Sequence, residues 1–469
     1  MTPVRWVTLA VVSAATAMLL LDVTIVYVAL PAVQKDLGAS FSQMQWVIDA
    51  YTVILAATLL GAGVLADRAG RRRVFVWGLS VFTLFSALCG LSGSALLLDL
   101  SRGAQGLGAA AMFSSSLAVL AHEFQGRERA FALGIWGAVT GASLAVGPFI
   151  GGLVVDGLGW RWIFLVNLPI GILLIGATLA WVQEAREEAR RRPDFAGIIL
   201  LAVACLIGVF GLIRGNEDGW SSVPIILALV ASVVLVFVFL LVERRSPEPI
   251  LPLDLFRIPA FSGTALVAFS QSIAIYPLLL FLAIYFQDAL GYSATGTGLR
   301  LMPMTLAIFL VAPVSGKLTG RVPVRIPLVS GLVLLGAGVV LMHGVEGTDS
   351  WTRLLPGMLV GGVAIGMISP ALAAAMVGVL PVERSGLSSG VNNTFRQLGI
   401  AFGVAGLGAV FHAQGGLDST IGIAAGLNAP LLPKMMLKST ANATSRLIDS
   451  ATCSPSEKRP SNRSTVWAG

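Results

Sequence analysis

Two charged residues stand inside apolar stretches of this sequence, where charge is expensive. Asp22 lies in the first such stretch and Arg102 in the fourth. A charged side chain at the centre of a bilayer costs about 2.5–3.5 kcal/mol on insertion scales, so it pairs with a neighbour or lines a watery path. A carboxylate held in this way can take up and release a proton. We therefore assign proton coupling to Asp22; the same role for Arg102 rests on the resemblance described below.

Each of these two residues also has a purely structural interpretation. Asp22 could make a hydrogen bond that only serves packing. Arg102 could form an ion pair that stabilises the helix bundle, and Asp99, three residues earlier, is a candidate helical neighbour.

Four more polar residues fall at membrane depth, and we predict that they line a substrate cavity: Asp49, Gln105, Asn392 and Arg396. A second carboxylate at Asp49 would attract a cationic substrate, although a solvated vestibule residue explains it equally well. Arg396 either faces the cavity or forms an ion pair at the cytoplasmic end of its helix.

A basic segment follows the second apolar stretch and reads Gly63-Val-Leu-Ala-Asp67-Arg68-Ala-Gly70-Arg71-Arg72-Arg73. Gly63 would allow two helices to approach closely, and Gly70 would permit a tight turn. Asp67 can cap a helix end and pair with an arginine, which makes a contact that breaks when two halves of a protein rock. We predict a conformational-switch loop here, formed by Gly63, Asp67, Arg68, Gly70, Arg71 and Arg72. The alternative is an ordinary basic loop.

The fifth apolar stretch is rich in glycine and contains one proline. Its notable residues are Gly141, Gly147, Pro148, Gly151 and Gly152. Small residues let helices pack closely in a membrane, and a proline inside a helix bends it where neighbours can satisfy the freed backbone.

The composition indicates the elements that position these residues. Of the 469 residues, 56% are hydrophobic and 12% charged, whereas soluble domains carry about 25% charged residues. The mean hydropathy is +0.86. The apolar stretches are continuous and about 20 residues long, as spanning helices require, and do not alternate as barrel strands do. We predict an all-α membrane protein with thirteen clear spans and a fourteenth that is degenerate or absent.

The distribution of charged residues predicts which side of the membrane each loop occupies and where the domains are divided. Arginine and lysine concentrate on one side of the predicted spans, which makes that side and the N-terminus cytoplasmic. This distribution also explains the net charge of +7 without nucleic-acid binding. The predicted units are a six-helix bundle at 1–183, a charged cytoplasmic linker at 184–195, two additional helices at 196–244, a second helical bundle at 245–411, and a polar, disordered tail at 412–469.

The motifs resemble those of the major facilitator superfamily. The segment from Gly63 to Arg73 is similar to its cytoplasmic loop signature, G-x-L-x-D-R-x-G-R-R-R. Gly147-Pro148-Phe-Ile-Gly151-Gly152 resembles the antiporter signature of its exporters, which favours export over uptake. Arg102-Gly-Ala-Gln105-Gly106 resembles the fourth-span motif, whose arginine is associated with proton transfer.

Several segments resemble the fourteen-span drug:proton antiporters within that superfamily. Leu21-Asp22-Val-Thr24-Ile-Val-Tyr-Val-Ala-Leu30-Pro31 is similar to their first-span signature. Further similar segments are Trp160–Gly171, Gly291–Pro303 and Ser388–Gly399. The resemblance implies two six-helix bundles around a central cavity, with two extra helices outside that core. It covers residues from about 5 to 411, and the expected final span is not matched.

The resemblance implies proton-coupled efflux of drugs or amphipathic, including cationic, small molecules across a bacterial inner membrane, with a role in antibiotic resistance. The partners would be the substrate, protons and the lipid bilayer, with the protein acting as a monomer. Two alternatives stay open: proton-coupled uptake of a nutrient or metabolite, and a non-transporting membrane sensor on the same scaffold. We predict no enzyme activity and no cofactor, because no P-loop or nucleophile constellation occurs. The three histidines are scattered, so we predict no metal site.

Overall fold

The computed structural model describes residues 3–184, 194–247, 249, 251–319, 321–343, 350–379 and 385–413. Within these ranges the regular structure is entirely helical, which confirms the predicted class. The α-helices are α1 (Pro3–Leu37), α2 (Phe41–Ala69), α3 (Arg71–Gly90), α4 (Ala95–Glu123), α5 (Gly126–Leu158), α6 (Trp162–Leu165), α7 (Asn167–Trp181), α8 (Phe195–Asp218), α9 (Val223–Arg245), α10 (Pro259–Ile284), α11 (Ala294–Thr319), α12 (Arg325–Leu341), α13 (Leu355–Val379) and α14 (Ser385–Ala413). Short 3-10 helices occupy Leu253–Arg257 and Trp351–Arg353, and a π-helical turn occupies Tyr285–Ala289.

Local sequence explains where these helices begin. Ser40 caps α2 through a capping box, in which its hydroxyl accepts from the Gln43 backbone N–H and its own N–H donates to the Gln43 side chain at 2.9 Å. Ser94 accepts from the N–H of Leu97 at the start of α4. Such caps satisfy backbone donors that have no partner within the helix.

Among the described residues, eleven helices are long and apolar enough to cross a membrane. α6 and α7 together form one of these spans, Trp162–Trp181. α12 is apolar but has only 17 residues. The count of thirteen spans therefore stays a prediction. Most of the predicted linker (185–193) and nearly all of the tail (414–469) lie outside the described residues.

The helices pack as two groups. We call α1–α7 the first bundle and α10–α14 the second bundle, because most extensive helix contacts fall within these groups. α8 packs across the seam between them, where Cys205 and Val209 of α8 contact Val53 of α2 and Ala401 of α14. α9 packs mainly against α8, and the Ser232 hydroxyl donates to the Ala204 carbonyl at 2.8 Å.

The two bundles meet closely at the end of the molecule that is remote from the loop between α2 and α3. We call it the far end and the opposite one the loop end. At the far end, Phe41 of α2 packs on Phe411 of α14 with ring centroids 4.8 Å apart. Gln45 donates to the Val404 carbonyl at 2.7 Å, and Gln287 donates to the Val28 carbonyl at 2.9 Å.

Candidate functional site

Asp22 and Arg102 form an ion pair in the interior of the first bundle. The Arg102 Nη1 lies 2.6 Å from the Asp22 Oδ2, and the two side chains are 2% and 0% exposed. Arg102 therefore pairs with a residue of another helix and not with Asp99 on its own helix. The geometry joins the two residues that the sequence assigns to proton coupling.

Other polar side chains complete this pair, and we call the whole set the Asp22 network. Gln105 accepts from Arg102 at 2.7 Å and donates to the Asp22 Oδ1 at 3.1 Å. Asn167 donates to the same Oδ1 at 3.2 Å and to the Ser86 hydroxyl at 3.0 Å. Helices α1, α3, α4 and α7 thus each contribute one or two of its members.

The two charged side chains of the network are buried, so protein groups replace the water that would otherwise solvate them. Arg102 also donates from Nε to the Val47 carbonyl at 3.1 Å, and its guanidinium carbon lies 4.2 Å from the centre of the Tyr51 ring. A buried ion pair is tolerated only when its geometry and additional hydrogen bonds offset desolvation. Here the Asp22 carboxylate receives three donors, so loss of its charge would reorganise contacts between several helices.

Asn167 and Ser86 are not among the site residues predicted from the sequence. Asn167 stands at the first position of α7, directly after the break that separates α6 from α7. An amide in an otherwise apolar stretch is the signal that could have identified it. The Ser86 hydroxyl donates to the Phe164 carbonyl at 2.9 Å, and a lone serine in a membrane helix carries no such signal.

The ion pair leads to a prediction about stability. Arg102→Met leaves the Asp22 carboxylate buried without its cation, and breaking a buried pair costs about 3–5 kcal/mol. We expect the free energy of unfolding to fall by that amount, measured by denaturant titration of the purified protein in detergent. The double variant Asp22→Asn/Arg102→Met should recover most of the loss. Equal destabilisation in both variants would contradict a charge-based role.

The residues predicted to line a substrate cavity separate into different environments. Arg396 lines a narrow central cavity of about 20 Å³ between the bundles, together with Leu20, Phe113 and Tyr276. Gln105 instead belongs to the Asp22 network. Asn392 donates to the Thr264 carbonyl at 3.1 Å and so connects α14 to α10.

Asp49 is also enclosed, and it does not line the central cavity in this conformation. Its side chain is fully buried on α2, and neither carboxylate oxygen accepts a hydrogen bond from a described residue. The hydroxyls of Tyr27 and Tyr51 are likewise buried without partners among the described residues. Asp49 therefore differs from Asp22, whose oxygens both accept hydrogen bonds.

The loop between α2 and α3 contains the predicted contact of an aspartate with an arginine. Arg71 donates from Nε and Nη2 to the Asp67 Oδ1 at 3.1 and 3.0 Å, and from Nη1 to the Ala118 carbonyl of α4 at 3.4 Å. Gly70 makes the turn with φ +111°, a conformation that favours glycine. Arg72 donates to the Leu179 carbonyl at 2.5 Å. This loop therefore ties α2 and α3 to α4 and α7.

One detail of that loop differs from the prediction, which expected close helix packing at Gly63. A Cβ at Gly63 would lie 4.0 Å from the Cβ of Ser114, so among the described residues no close helix approach depends on this glycine. Arg68 is exposed. The interactions of the loop are within the first bundle, as far as the described residues show.

The glycines of α5 contact two different helices. A Cβ at Gly147 would overlap the Thr24 side chain of α1, and a Cβ at Gly151 would lie 3.0 Å from Ile25. A Cβ at Gly152 would overlap the backbone of Ala294 in α11. The close approach predicted from these small residues is confirmed at these three positions. No atom of another described element lies within 4 Å of a Cβ placed at Gly141, so close packing with the described residues is not found there.

The contact of α5 with α11 joins the two bundles at the far end. A Cβ on Gly298 would come within 2.5 Å of the Pro148 carbonyl oxygen, so the two backbones touch. The Asp156 carboxylate accepts from the N–H groups of Ala294 and Thr295 at 3.2 and 2.8 Å. The first N–H groups of α11 have no partner within the helix, so the carboxylate satisfies them. Its negative charge is also favourable at the positive N-terminal end of the helix dipole. The far end is therefore closed in this structure.

Comparison with known proteins agrees with this architecture. Residues 12–404 match the family model of the Major Facilitator Superfamily. The multidrug resistance protein Stp of Mycobacterium tuberculosis is 39% identical over 84% of this chain and 74% of its own length. The methylenomycin A resistance protein of Streptomyces coelicolor is 35% identical over 85% and 84%. The tetracenomycin C resistance and export protein of Streptomyces glaucescens is 36% identical over 88% and 77%. The chain is a multi-pass membrane protein and belongs to the Major Facilitator Superfamily.

Proposed function

We propose that this protein is a transporter that exports drugs or other amphipathic small molecules from the bacterial cytoplasm in exchange for protons. The observation that carries the proposal is the buried Asp22 network, in which one carboxylate is held by Arg102, Gln105 and Asn167. The names of the relatives, which refer to drug resistance and export, support the same conclusion. The network supplies the proton coupling, and the relatives indicate the class of substrate.

The Asp22 network suggests how the proton would act. A proton on Asp22 removes the negative charge that pairs with the Arg102 guanidinium, and the hydrogen bond to Gln105 is the neutral contact that Nη1 keeps among the described residues. These contacts join α1, α4 and α7 within the first bundle. Because α1 also carries the Val28 carbonyl that accepts from Gln287 of the second bundle, their loss would change the relative stability of two arrangements of the bundles. Protonation from the outside would accompany release of substrate outward, and deprotonation toward the cytoplasm would reset the protein.

In this proposal, two contacts would break or form as the protein changes between its outward-open and inward-open conformations. The α5–α11 contact at Gly152 and Asp156 closes the far end, which we take as the outer side because the basic loops lie at the opposite end. The loop with Asp67 and Arg71 then lies on the cytoplasmic side, as does the N-terminus. Substrate would bind between the bundles near Arg396 once that region opens, and Asp49 would add negative charge to the site when it becomes accessible.

The subtype and the domain boundaries belong to the same proposal. We place the chain in the fourteen-span drug:proton group, with bundles at 1–183 and 245–411, a linker at 184–195 and two additional helices at 196–244. The position of α8 against both bundles supports the assignment of α8 and α9 as additional helices. The protein would be a monomer in the inner membrane, without a cofactor.

Transport by purified protein in liposomes tests the proposal. Liposomes with an acidic interior are diluted into alkaline medium containing ethidium, a permanent cation that does not follow the pH gradient by itself. We expect ethidium to accumulate inside as protons leave, and not when the gradient is abolished by an ionophore. Accumulation only with an alkaline interior would show symport instead. No transport with any gradient or substrate would favour the sensor.

A further inference from the structure

A second and larger cavity lies outside the central one, between α2, α4 and α8. Its volume is about 540 Å³, within the range of about 300–1,000 Å³ that is usual for small-molecule sites. The wall consists of apolar residues, including Trp46 and Ile54 of α2, Leu100 of α4 and Leu206 of α8. Asp99 of α4 is the one charged residue among the described residues that line it.

The Asp99 carboxylate has no compensating partner within the described part of the chain. Its Oδ1 is buried and accepts no hydrogen bond there. The nearest candidate cation along the helix, Arg102, is directed to Asp22 and Gln105. A carboxylate placed in an apolar site at membrane depth is costly unless a counter-charge neutralises it. The cavity therefore presents a carboxylate that has no counter-charge among the described residues until a cation enters.

The edge of the cavity faces the region that lipid occupies. Leu96 and Leu100 of α4 lie on its wall and are 66% and 65% exposed, as expected of side chains that contact acyl chains. α4 begins at Ala95, so Asp99 lies about 6 Å, or one helical turn, from the far end of that helix. A molecule dissolved in the bilayer can reach this carboxylate without passing through the central cavity.

We propose that this cavity binds a lipophilic monocation, in which one positive charge is surrounded by apolar or aromatic groups. Three features of the cavity match such a ligand. The carboxylate of Asp99 neutralises the charge, the aliphatic wall accepts the apolar groups, and Trp46 places an aromatic side chain in the wall, a residue type that attracts cations. An acyl chain of a lipid would fill the volume but would leave Asp99 uncompensated. The inference rests on the proposed function, because it assigns a substrate class to an exporter of amphipathic molecules.

The binding of a brominated cation tests this site directly. (4-Bromophenyl)triphenylphosphonium is added to the protein in nanodiscs, and quenching of tryptophan fluorescence by bromine is followed. Comparison with Trp46→Phe isolates the signal from the cavity. We expect saturable quenching that unlabelled tetraphenylphosphonium displaces. Asp99→Asn should weaken the binding at least tenfold, whereas Asp99→Glu should retain most of it.

Two controls are a neutral probe of similar shape and a substitution whose side chain fills the cavity. (4-Bromophenyl)triphenylmethane has nearly the same shape without the charge, and we expect it to quench Trp46 weakly and equally in the native protein and in Asp99→Asn. Gly103→Leu should abolish the quenching by the cation because its side chain enters the cavity. Gly103→Ala should preserve it, since a Cβ there lies 3.9 Å from its nearest neighbours.

Two outcomes would overturn the proposal. One is equal affinity of the cation for the native protein and Asp99→Asn, and the other is a neutral probe that binds as tightly as the cation. The binding assay needs no proton gradient, so it is independent of coupling. Asp22→Asn should keep the Trp46 signal while transport is lost, which separates failure of this site from failure of the proposed function.

Discussion

Asp22→Asn is expected to reduce proton-driven export to the level of liposomes without protein. The substitution retains the size of the side chain but removes the charge that pairs with Arg102 at 2.6 Å. It also places an amide where three donors now converge, from Arg102, Gln105 and Asn167. An amide cannot exchange a proton at physiological pH, so movement of the bundles can no longer be linked to proton flow. Export is measured with ethidium and an imposed pH gradient.

The matched control for this substitution is Asp36→Asn on the same helix. Asp36 pairs with Arg161 at 2.5 Å, but both side chains are largely exposed at the far end, at 45% and 39%. Exposed ion pairs contribute only about 0–1 kcal/mol, so transport should stay close to that of the native protein. Equilibrium binding of substrate to Asp22→Asn shows whether the defect lies in coupling. Gradient-driven export by Asp22→Asn at the native rate would disprove the assignment.

Gly152→Val is expected to open the far end and to slow transport at least tenfold. The new side chain would overlap the backbone of Ala294 and Thr295 in α11, and a backbone cannot rotate away as a side chain can. Overpacking costs about 1–3 kcal/mol, which shifts a two-state equilibrium by about 5- to 150-fold. This overpacking raises the free energy of the conformation with a closed far end. It does not affect a conformation in which α5 and α11 are apart.

Spin labels measure that shift. Leu91 after α3 and Leu341 at the end of α12 are exposed at the far end of the first and second bundle, at 69% and 43%. With the three native cysteines replaced, labelled cysteines at these two positions should report a longer distance in Gly152→Val. Gly157→Val is the control on the same helix, because no atom of another described element lies within 4 Å of a Cβ placed at Gly157. An unchanged distance in Gly152→Val would mean that this contact does not hold the far end closed.

The helical elements could be predicted because the signal for them is local. Hydropathy adds up residue by residue along a stretch, so an apolar run such as Val223–Arg245 indicates a span without knowledge of its neighbours. The contact of Asp67 with Arg71 was predictable for the same reason, since the residues are four apart in sequence. The glycines of α5 identify close packing, but they do not say which helix approaches.

The pairs of side chains that interact within the Asp22 network could not be predicted from local sequence. Arg102 has an acidic neighbour three residues away in Asp99, yet it pairs with Asp22, eighty residues away in sequence. The choice depends on how α1 and α4 are rotated about their axes, and that rotation is set by packing of the whole bundle. Asn167 joins the network for the same reason.

The sequence by itself therefore determined that this protein crosses the membrane as helices, that its basic loops share one side, and that Asp22 and Arg102 need compensation. Those conclusions follow from transfer free energies, which each residue contributes independently of the fold. Only the tertiary structure decided that these two residues compensate one another, and that Asp99 is left facing an apolar cavity. Such pairings depend on distances between helices, and those distances are a property of the packed protein.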